Sequence, residues 1–457
     1  MLERLAAAVR EGQISPTELV EHSLRRIEAS HDDLNAVVAL RAEEALAEAA
    51  THPRTGALAG LPLLVKDMAR CKGMRTTFGS TLFADAPVDT VDDIVVARLR
   101  AAGAIVVGRT NSPAFGHAPF TTNLVHGSTR NPWNLERSPG GSSGGSAAAL
   151  AAGLAPLATT SDGGGSVRIP AALSGLVGYK PTMGAIGRNV LPRWIEFSTQ
   201  GSTGATVADV VAEARVTHGP ADGDWVSLPA GAVGLDPVRP TRVLACRTFR
   251  ADVDPVVEAA YDRTLEALAA EGLQVEHVDA PSNPDAVVDW FMMSTAELAQ
   301  SLLEFRDRWD ELDETLRNQL VVGASITPEV YLSAQRRRHE WGARIDATLG
   351  SSGAADAVLV LPTLNVQSWS PEGPPSESAG AVVGDATIAT NTPELNATGH
   401  PAVSVPMGLD AAGVPMGLQV VAPRCRDALA LGLAEVLERV QPWALHAPGY
   451  EAFDAGL

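Results

Sequence analysis

What is scarce in this chain narrows its class first. Its 457 residues hold three cysteines, Cys71, Cys246 and Cys425, far apart and without a CxxC spacing. That excludes a disulfide framework or a cysteine metal knuckle and reads as reduced, structural thiols. No stretch approaches about 18 consecutive strongly apolar residues, and the opening MLERLAAAVREGQ carries Glu and Arg where a secretory segment is apolar. The expectation is a cytoplasmic protein with no membrane partner. Positive charge is also short: 35 Lys and Arg face 54 Asp and Glu, for a formal net charge of −19. With no basic run longer than Arg336-Arg337-Arg338, which reads as a solvated helix face, nucleic acid is disfavoured as a partner. There is no GxxxxGK[ST], no GxGxxG after a strand, and no Asp/Glu/His set at metal-ligand spacing, so neither a metal nor an organic cofactor is called for.

What is present is globular: 45% apolar and 19% charged residues supply ample core. Ser15-Pro16-Thr17-Glu18 is a capping box with Pro at the first helical position, and Leu19, Val20, Leu24 and Ile27 recur at helical spacing, predicting a helix over 16–29. A second, Ala-rich helix is predicted over 41–50. GLPLLVKDM is a short apolar run ending in a charge, a buried strand that delivers Lys66 at its end. DDIVVARLRAAGAIVVGRTN reads as a helix stopped at Gly103 and a strand from Ala104, and such alternation argues for an α/β sheet with parallel pairs. Further on, a strand is predicted at RVLAC, helices over 255–271 and from about 285 to 349, a loop over 368–383, two late strands in PAVSVP and GLQVVAP, and a last helix over 426–440.

Chemistry concentrates in two segments, SPGGSSGGSAAALAAG from Ser138 and TTSDGGGSVRIP from Thr159. Glycine-dense loops leave backbone N–H groups free for an anionic guest, and without a nucleotide motif the natural guest is a transient oxyanion. The N–H groups of Gly163, Gly164, Gly165 and Ser166 are predicted to converge on one point, beside a helix beginning near Ser166. A serine there is both nucleophile and oxyanion donor, provided a base takes its proton. Gly141-Ser142-Ser143-Gly144-Gly145 fits GxSxG formally, but loop-like residues precede it where a Ser–His–Asp hydrolase has a buried strand, so that reading is set aside.

GLPLLVKDM, RNPWNLERSPGGSSGGSAAALAAG and SDGGGSVRIPAALSGLVGYKPT resemble the successive signature blocks of the amidase signature family, and ELNATGHPAVSVPMG and GLQVV extend the similarity weakly. The resemblance implies a single domain over 1–457, with a signature core over about 55–215, a helical accessory region over about 285–349, and a large mixed, mostly parallel central sheet wrapped by helices. It implies Ser166 as nucleophile, Ser142 in a cis peptide as the bridging serine and Lys66 as terminal base. It places Gly163, Gly164 and Gly165 on the oxyanion loop, Asp162 and Arg168 as braces, and Ser143 as an assisting hydrogen-bonder. Homodimers occur in the family. The implied activity is hydrolysis of carboxylic amides, with carbamates and esters sharing the attacked carbonyl geometry.

The triad is chemically coherent only if Lys66 is neutral, which demands burial that brings its amine down from a reference near 10.4 towards neutrality. Phe115, Phe120, Trp194, Phe197, Trp290 and Trp369 are candidate acyl-site aromatics, and Gly163, where the family more often has Thr or Ile, is expected to widen that site. One alternative is the glutaminase subunit of a tRNA-dependent amidotransferase. Such members carry an acidic residue seven positions before the Asn of the NxxG block; here Ala389 precedes Asn396 by seven and Asp385 is out of register, which favours a free-standing hydrolase acting on a small-molecule amide or carbamate. A catalytically silent binding protein on the same fold is disfavoured because all three triad positions are filled.

Overall fold

The computed structural model describes residues 1–281, 285–351, 356–374, 376–378, 381–383 and 391–454. Two sheets organise it. The smaller runs in spatial order Val37–Leu40, Ile105–Thr110, Pro62–Lys66 and Leu157–Ala158, with the first pair antiparallel and the other two parallel. The larger runs Thr160–Asp162, Thr199–Gly204, Val177–Lys180, Ala402–Leu409, Pro415–Val421, Ala357–Pro362, Arg242–Ala245 and Gln274–His277. Only Thr159 separates Leu157–Ala158 from Thr160–Asp162, so the chain passes directly from one sheet into the other. The seam between them is where the site lies.

The α/β architecture with a large mixed sheet flanked by helices is as expected, but "mostly parallel" is corrected. In the larger sheet only the Ala357–Pro362/Arg242–Ala245 and Arg242–Ala245/Gln274–His277 pairings are parallel; the rest are antiparallel. The reason is local: Ala402–Leu409 and Pro415–Val421 are joined by a short connection that only an antiparallel pair permits. Helix–strand alternation, the signature of parallel pairing, is confined to the smaller sheet and the far edge of the larger one.

Helices form where the pattern placed them. Ser15 caps Pro16–Leu34 through a complete capping box, and Asn35 ends that helix five residues beyond the expected end with a left-handed backbone. Pro255–Ala270 and Asp427–Val440 cover one face of the larger sheet, burying Tyr261, Leu268, Leu433 and Leu437 against Val360, Val403 and Val420. Gly144–Ala151 is buried on every side, which its run of Gly, Ser and Ala permits because no side chain is long enough to hold the neighbouring elements apart. The region over 285–349 resolves into Ala286–Ser301, the 3₁₀ segment Leu303–Glu311, Glu314–Ser325 and the start of Pro328–Ser351. The loop expected over 368–383 contains the short antiparallel pair Ser376–Ser378 and Ala381–Val383. Ala389 and Asp385 lie outside the described residues. Among the described residues no helix is long and apolar enough to cross a membrane.

Candidate functional site

Lys66 ends the strand Pro62–Lys66, its N–H held by Thr159 Oγ1 at 2.9 Å, so its side chain enters the seam between the sheets. It is 1% exposed. Its Nζ lies 2.8 Å from Ser142 Oγ, 2.8 Å from Ser143 Oγ and 3.0 Å from Ser161 Oγ. Burial pushes the amine down to about 7, with the Asp162 carboxylate pulling weakly the other way. Ser143 donates its proton to the Ser161 carbonyl at 3.3 Å and therefore accepts from Lys66. A neutral amine has two donors and one lone pair. With Ser143 accepting, Ser142, whose hydroxyl makes no other hydrogen bond among the described residues, is free to give its proton to that lone pair. The Gly141–Ser142 peptide is cis.

Ser161 did not stand out in the sequence, yet it completes the shell around Lys66. Its signal was strand alternation: in Thr160–Asp162 the middle residue faces away from its neighbours, and both Thr160 and Asp162 are turned into the larger sheet's own packing.

Asp162 and Arg168 lie together against the glycine loop. Both are fully buried, joined by Arg168 Nε to Asp162 Oδ2 at 3.0 Å and Arg168 Nη2 to Asp162 Oδ1 at 2.9 Å. Burial alone would raise the Asp162 carboxyl, but the Arg168 guanidinium beside it holds it well below the usual carboxylate range. Asn396 Nδ2 also donates to Asp162 Oδ1, at 2.9 Å, and Arg168 reaches on to Gln419 and the Thr392 carbonyl. The same carboxylate captures the N–H of Gly165 at 2.7 Å and of Val167 at 3.1 Å.

That capture corrects the expectation of four converging amides. The Gly165 N–H is spent on Asp162, whereas those of Gly163, Gly164 and Ser166 have no acceptor among the described residues. Gly165 is instead the residue that turns the loop: its φ is +126°, and a Cβ there would lie 2.3 Å from Thr392 Oγ1. The helix that follows the glycine loop, Arg168–Ser174, starts two residues beyond Ser166 and has seven residues.

The expected widening at Gly163 is also corrected. A Cβ on Gly163 would lie 2.5 Å from Trp194 Cε3, and one on Gly164 would lie 2.3 Å from Trp290 Cζ2. The absent side chains make room for two indoles, packed edge to face at 5.6 Å, rather than for substrate. Trp290 Nε1 donates to the Gly163 carbonyl at 2.9 Å, fixing the peptide from the side opposite its amide.

Ser166 is 8% exposed, and its hydroxyl makes no hydrogen bond among the described residues. Two cavities meet at Gly116, Ser166 and Trp194. The wider, about 1060 Å³, is lined by Lys66, Ser142, Ser161 and several arginines. The other, about 510 Å³, is walled mainly by apolar side chains including Ile169, Trp290, Phe291, Leu298 and Val322. Of the candidate aromatics, Phe115, Trp194 and Trp290 line these cavities; Phe120 and Trp369 pack in one apolar cluster and Phe197 in another. Among the described residues no three His, Cys, Asp or Glu side chains gather where they could hold a metal ion.

The family model described as Amidase matches residues 18–431. An acylamidase of Rhodococcus erythropolis is 34% identical over 470 residues, covering 97% of this chain and 96% of that protein. A glutamyl-tRNA(Gln) amidotransferase subunit of Deinococcus radiodurans is 33% identical over 488 residues, covering 97% of this chain and 98% of that protein. Among solved structures, a bacterial aryl acylamidase of the amidase signature family superposes with a TM-score of 0.88 at 28% identity, over 96% of this chain and 95% of that one.

Proposed function

The chain belongs to the amidase family and is an amidohydrolase, and from that premise we propose that it cleaves the C–N bond of small-molecule carboxylic amides through an acyl intermediate on Ser166. The observation that carries the proposal is the buried, hydroxyl-solvated amine of Lys66 in a cavity that also reaches Ser166, beside the amides of Gly163, Gly164 and Ser166 that have no acceptor among the described residues.

In this reading Ser166 Oγ attacks the carbonyl carbon, its proton passes to Ser142 Oγ, and the Ser142 proton passes to Lys66 Nζ. The negative charge that develops on the carbonyl oxygen is met by the N–H groups of Gly163, Gly164 and Ser166, each such donor contributing on the order of 3 kcal/mol in the transition state. Collapse breaks the C–N bond as the proton returns from Lys66 through Ser142 to the departing nitrogen. Water then repeats the sequence on the acyl-enzyme, releasing the carboxylic acid. Ser143 and Ser161 keep the amine aimed at Ser142 throughout. The Ser166–Ser142 hydrogen bond is absent from the resting geometry and forms as substrate settles, as catalytic hydrogen bonds commonly do.

The test is covalent. Wild-type protein incubated with a serine-directed fluorophosphonate or a slow aryl amide should gain one adduct on the peptide bearing Ser166, and Ser166→Ala should gain none and lose hydrolysis. Undiminished hydrolysis in Ser166→Ala would overturn the assignment.

The similarity to an amidotransferase component supports a second reading, that the substrate is glutamine and the product ammonia for a tRNA-bound acceptor. Glutamine-dependent ammonia release and co-purifying partner proteins would establish it; neither is expected for a free-standing hydrolase.

A further inference from the structure

The two cavities at Ser166 differ in charge, with Arg70, Arg188, Arg193 and Arg306 on the wide one and Arg250 on the other, and the proton relay tells which half of the substrate each receives. The departing nitrogen has to take its proton from Ser142, so it lies on the relay's side. Lys66, Ser142 and Ser161 line the wide cavity, and none of them lines the apolar one. The amine half therefore occupies the wide cavity and the acyl half the apolar cavity.

The wide cavity carries an electropositive wall in a protein whose net charge is −19. Arg193 is its fixed part. Its guanidinium sits 5.0 Å from the ring centroid of Phe78, 5.2 Å from that of Phe83 and 5.0 Å from that of Phe115, the residue next to Gly116. One Nη donates to the Ser301 carbonyl at 3.1 Å; Nε is buried without an acceptor, and Nη2 makes no bond among the described residues. No carboxylate lies within ion-pair distance of Arg193, of Arg70 or of Arg306 among the described residues, although all three line this cavity. Arg188, by contrast, is paired with Asp224. Of the acids on the wall, Glu297 is pushed by burial up to about 7 and is only about half ionised at neutral pH, while Asp93, pushed up to about 6, stays largely ionised. Glu304 draws on the Arg193 charge from beyond ion-pair distance, while burial and then Arg70 weigh against that charge. A desolvated guanidinium held by three rings, with donors left over, is preorganised for a planar anion, which it can bind through two parallel hydrogen bonds.

We infer that the preferred substrate is an amide whose amine half carries a carboxylate, anchored by Arg193, with an apolar acyl group on the other side of Ser166. The inference rests on the acyl-Ser166 reading for its orientation, and the experiment separates the two. N-hexanoyl-4-aminobenzoate and N-hexanoyl-4-toluidine present the same acyl group and scissile bond and differ in charge. Wild-type kcat/KM should favour the carboxylate by at least about tenfold, chiefly through KM, since a charge-assisted bidentate contact exceeds a neutral one by that much. Added salt should shrink the preference. Arg193→Met should bring the ratio of the two substrates towards one, and Arg193→Lys should retain part of it. A wild-type ratio near one, or a fall in Arg193→Met that is equal for both substrates, overturns the inference and makes Arg193 a pin between its loop and Ser301. Calorimetric binding of both amides to Ser166→Ala reads the preference without turnover. Tighter carboxylate binding there, with no hydrolysis of either amide by wild type, would sink the hydrolytic reading alone; hydrolysis without preference would sink the anion site alone.

Discussion

Lys66 offers the sharpest test, because the same burial that would make it the base of the proposed relay also loads the fold. If its amine titrates near 7, only about one tenth of the protein holds a neutral Lys66 at pH 6 and about nine tenths does at pH 8. Wild-type kcat/KM should therefore rise about tenfold across that interval and level off above it. Lys180, a second buried lysine also brought down to about 7 by burial, is the control: its Nζ donates to the Pro181 carbonyl and not to the serines, so Lys180→Met should leave the rising limb in place. The stability side follows by linkage. A drop from 10.5 to about 7 means the unfolded chain binds a proton the folded chain releases, so stability is greatest above 10.5, falls as pH drops through that interval and is flat below about 7. The deficit at neutral pH is about 5 kcal/mol. Lys66→Met relieves it and forfeits three hydrogen bonds of about 1 kcal/mol each, for a net gain of about 2 kcal/mol at pH 7 that passes through zero at about pH 8 and becomes a net loss of about 2 kcal/mol at pH 10. Urea midpoints of both proteins at pH 7 and 10 check this, alongside rates. A kcat/KM that is flat from pH 6 to 8, or a Lys66→Met deficit of equal size at both pH values, would show that the amine is charged and solvated, and the relay would fall with it.

Other perturbations probe the loop. Gly163→Ala sets a methyl 2.5 Å from Trp194 Cε3 and 3.0 Å from Ser198 Oγ, so the amide should shift and kcat fall about a hundredfold, the value of one oxyanion donor; a rate within twofold of wild type would remove Gly163 from that role. Asp162→Asn leaves Arg168 charged in a buried site and should lower stability by about 3–5 kcal/mol in urea titrations. Because the Asp162 carboxyl is held below its ordinary value, its contribution is present above about 4 and lost on acidification, so acid unfolding of Asp162→Asn should be shallower than that of wild type. Trp290→Phe keeps bulk against Gly164 but removes the bond to the Gly163 carbonyl, and kcat should drop several-fold with KM little changed.

The candidate site was legible to the extent that its chemistry is local in sequence. Lys66 ends an apolar run, and Ser142 and Ser166 sit in glycine blocks that few other folds require. What was missed is set by side-chain direction or by distant segments. Ser161 lies in the polar string Thr159–Asp162, and only its place on a strand separates it from its neighbours. The capture of the Gly165 amide is an Asp side chain bonding an N–H three residues on, a habit of aspartate in turns that composition alone does not reveal. Gly163 misled because the partner of a missing side chain is invisible in sequence: the vacated space belongs to Trp194, 31 positions further along the chain, and not to a ligand. The mostly parallel sheet that the resemblance implied fails for a related reason, since the pairing of Ala402–Leu409 with Pro415–Val421 is decided by the short connection between them.

Trp194 and Arg193 are adjacent, and that adjacency ties rate to recognition. One residue packs on the glycine loop proposed to present the oxyanion amides; its neighbour presents donors to the wide cavity proposed to receive the departing amine. An anion drawn to Arg193 would press on the same backbone that seats Trp194 against Gly163, so part of its binding energy is available to order the amides in the transition state. On this argument the carboxylate preference should appear partly in kcat, and Trp194→Ala should weaken the kcat component while leaving the KM component that Arg193 supplies directly. Stopped-flow release of the aminobenzoate, compared in wild type and Trp194→Ala, separates the two; an unchanged kcat ratio would mean that recognition and oxyanion binding are independent despite their common strand of chain.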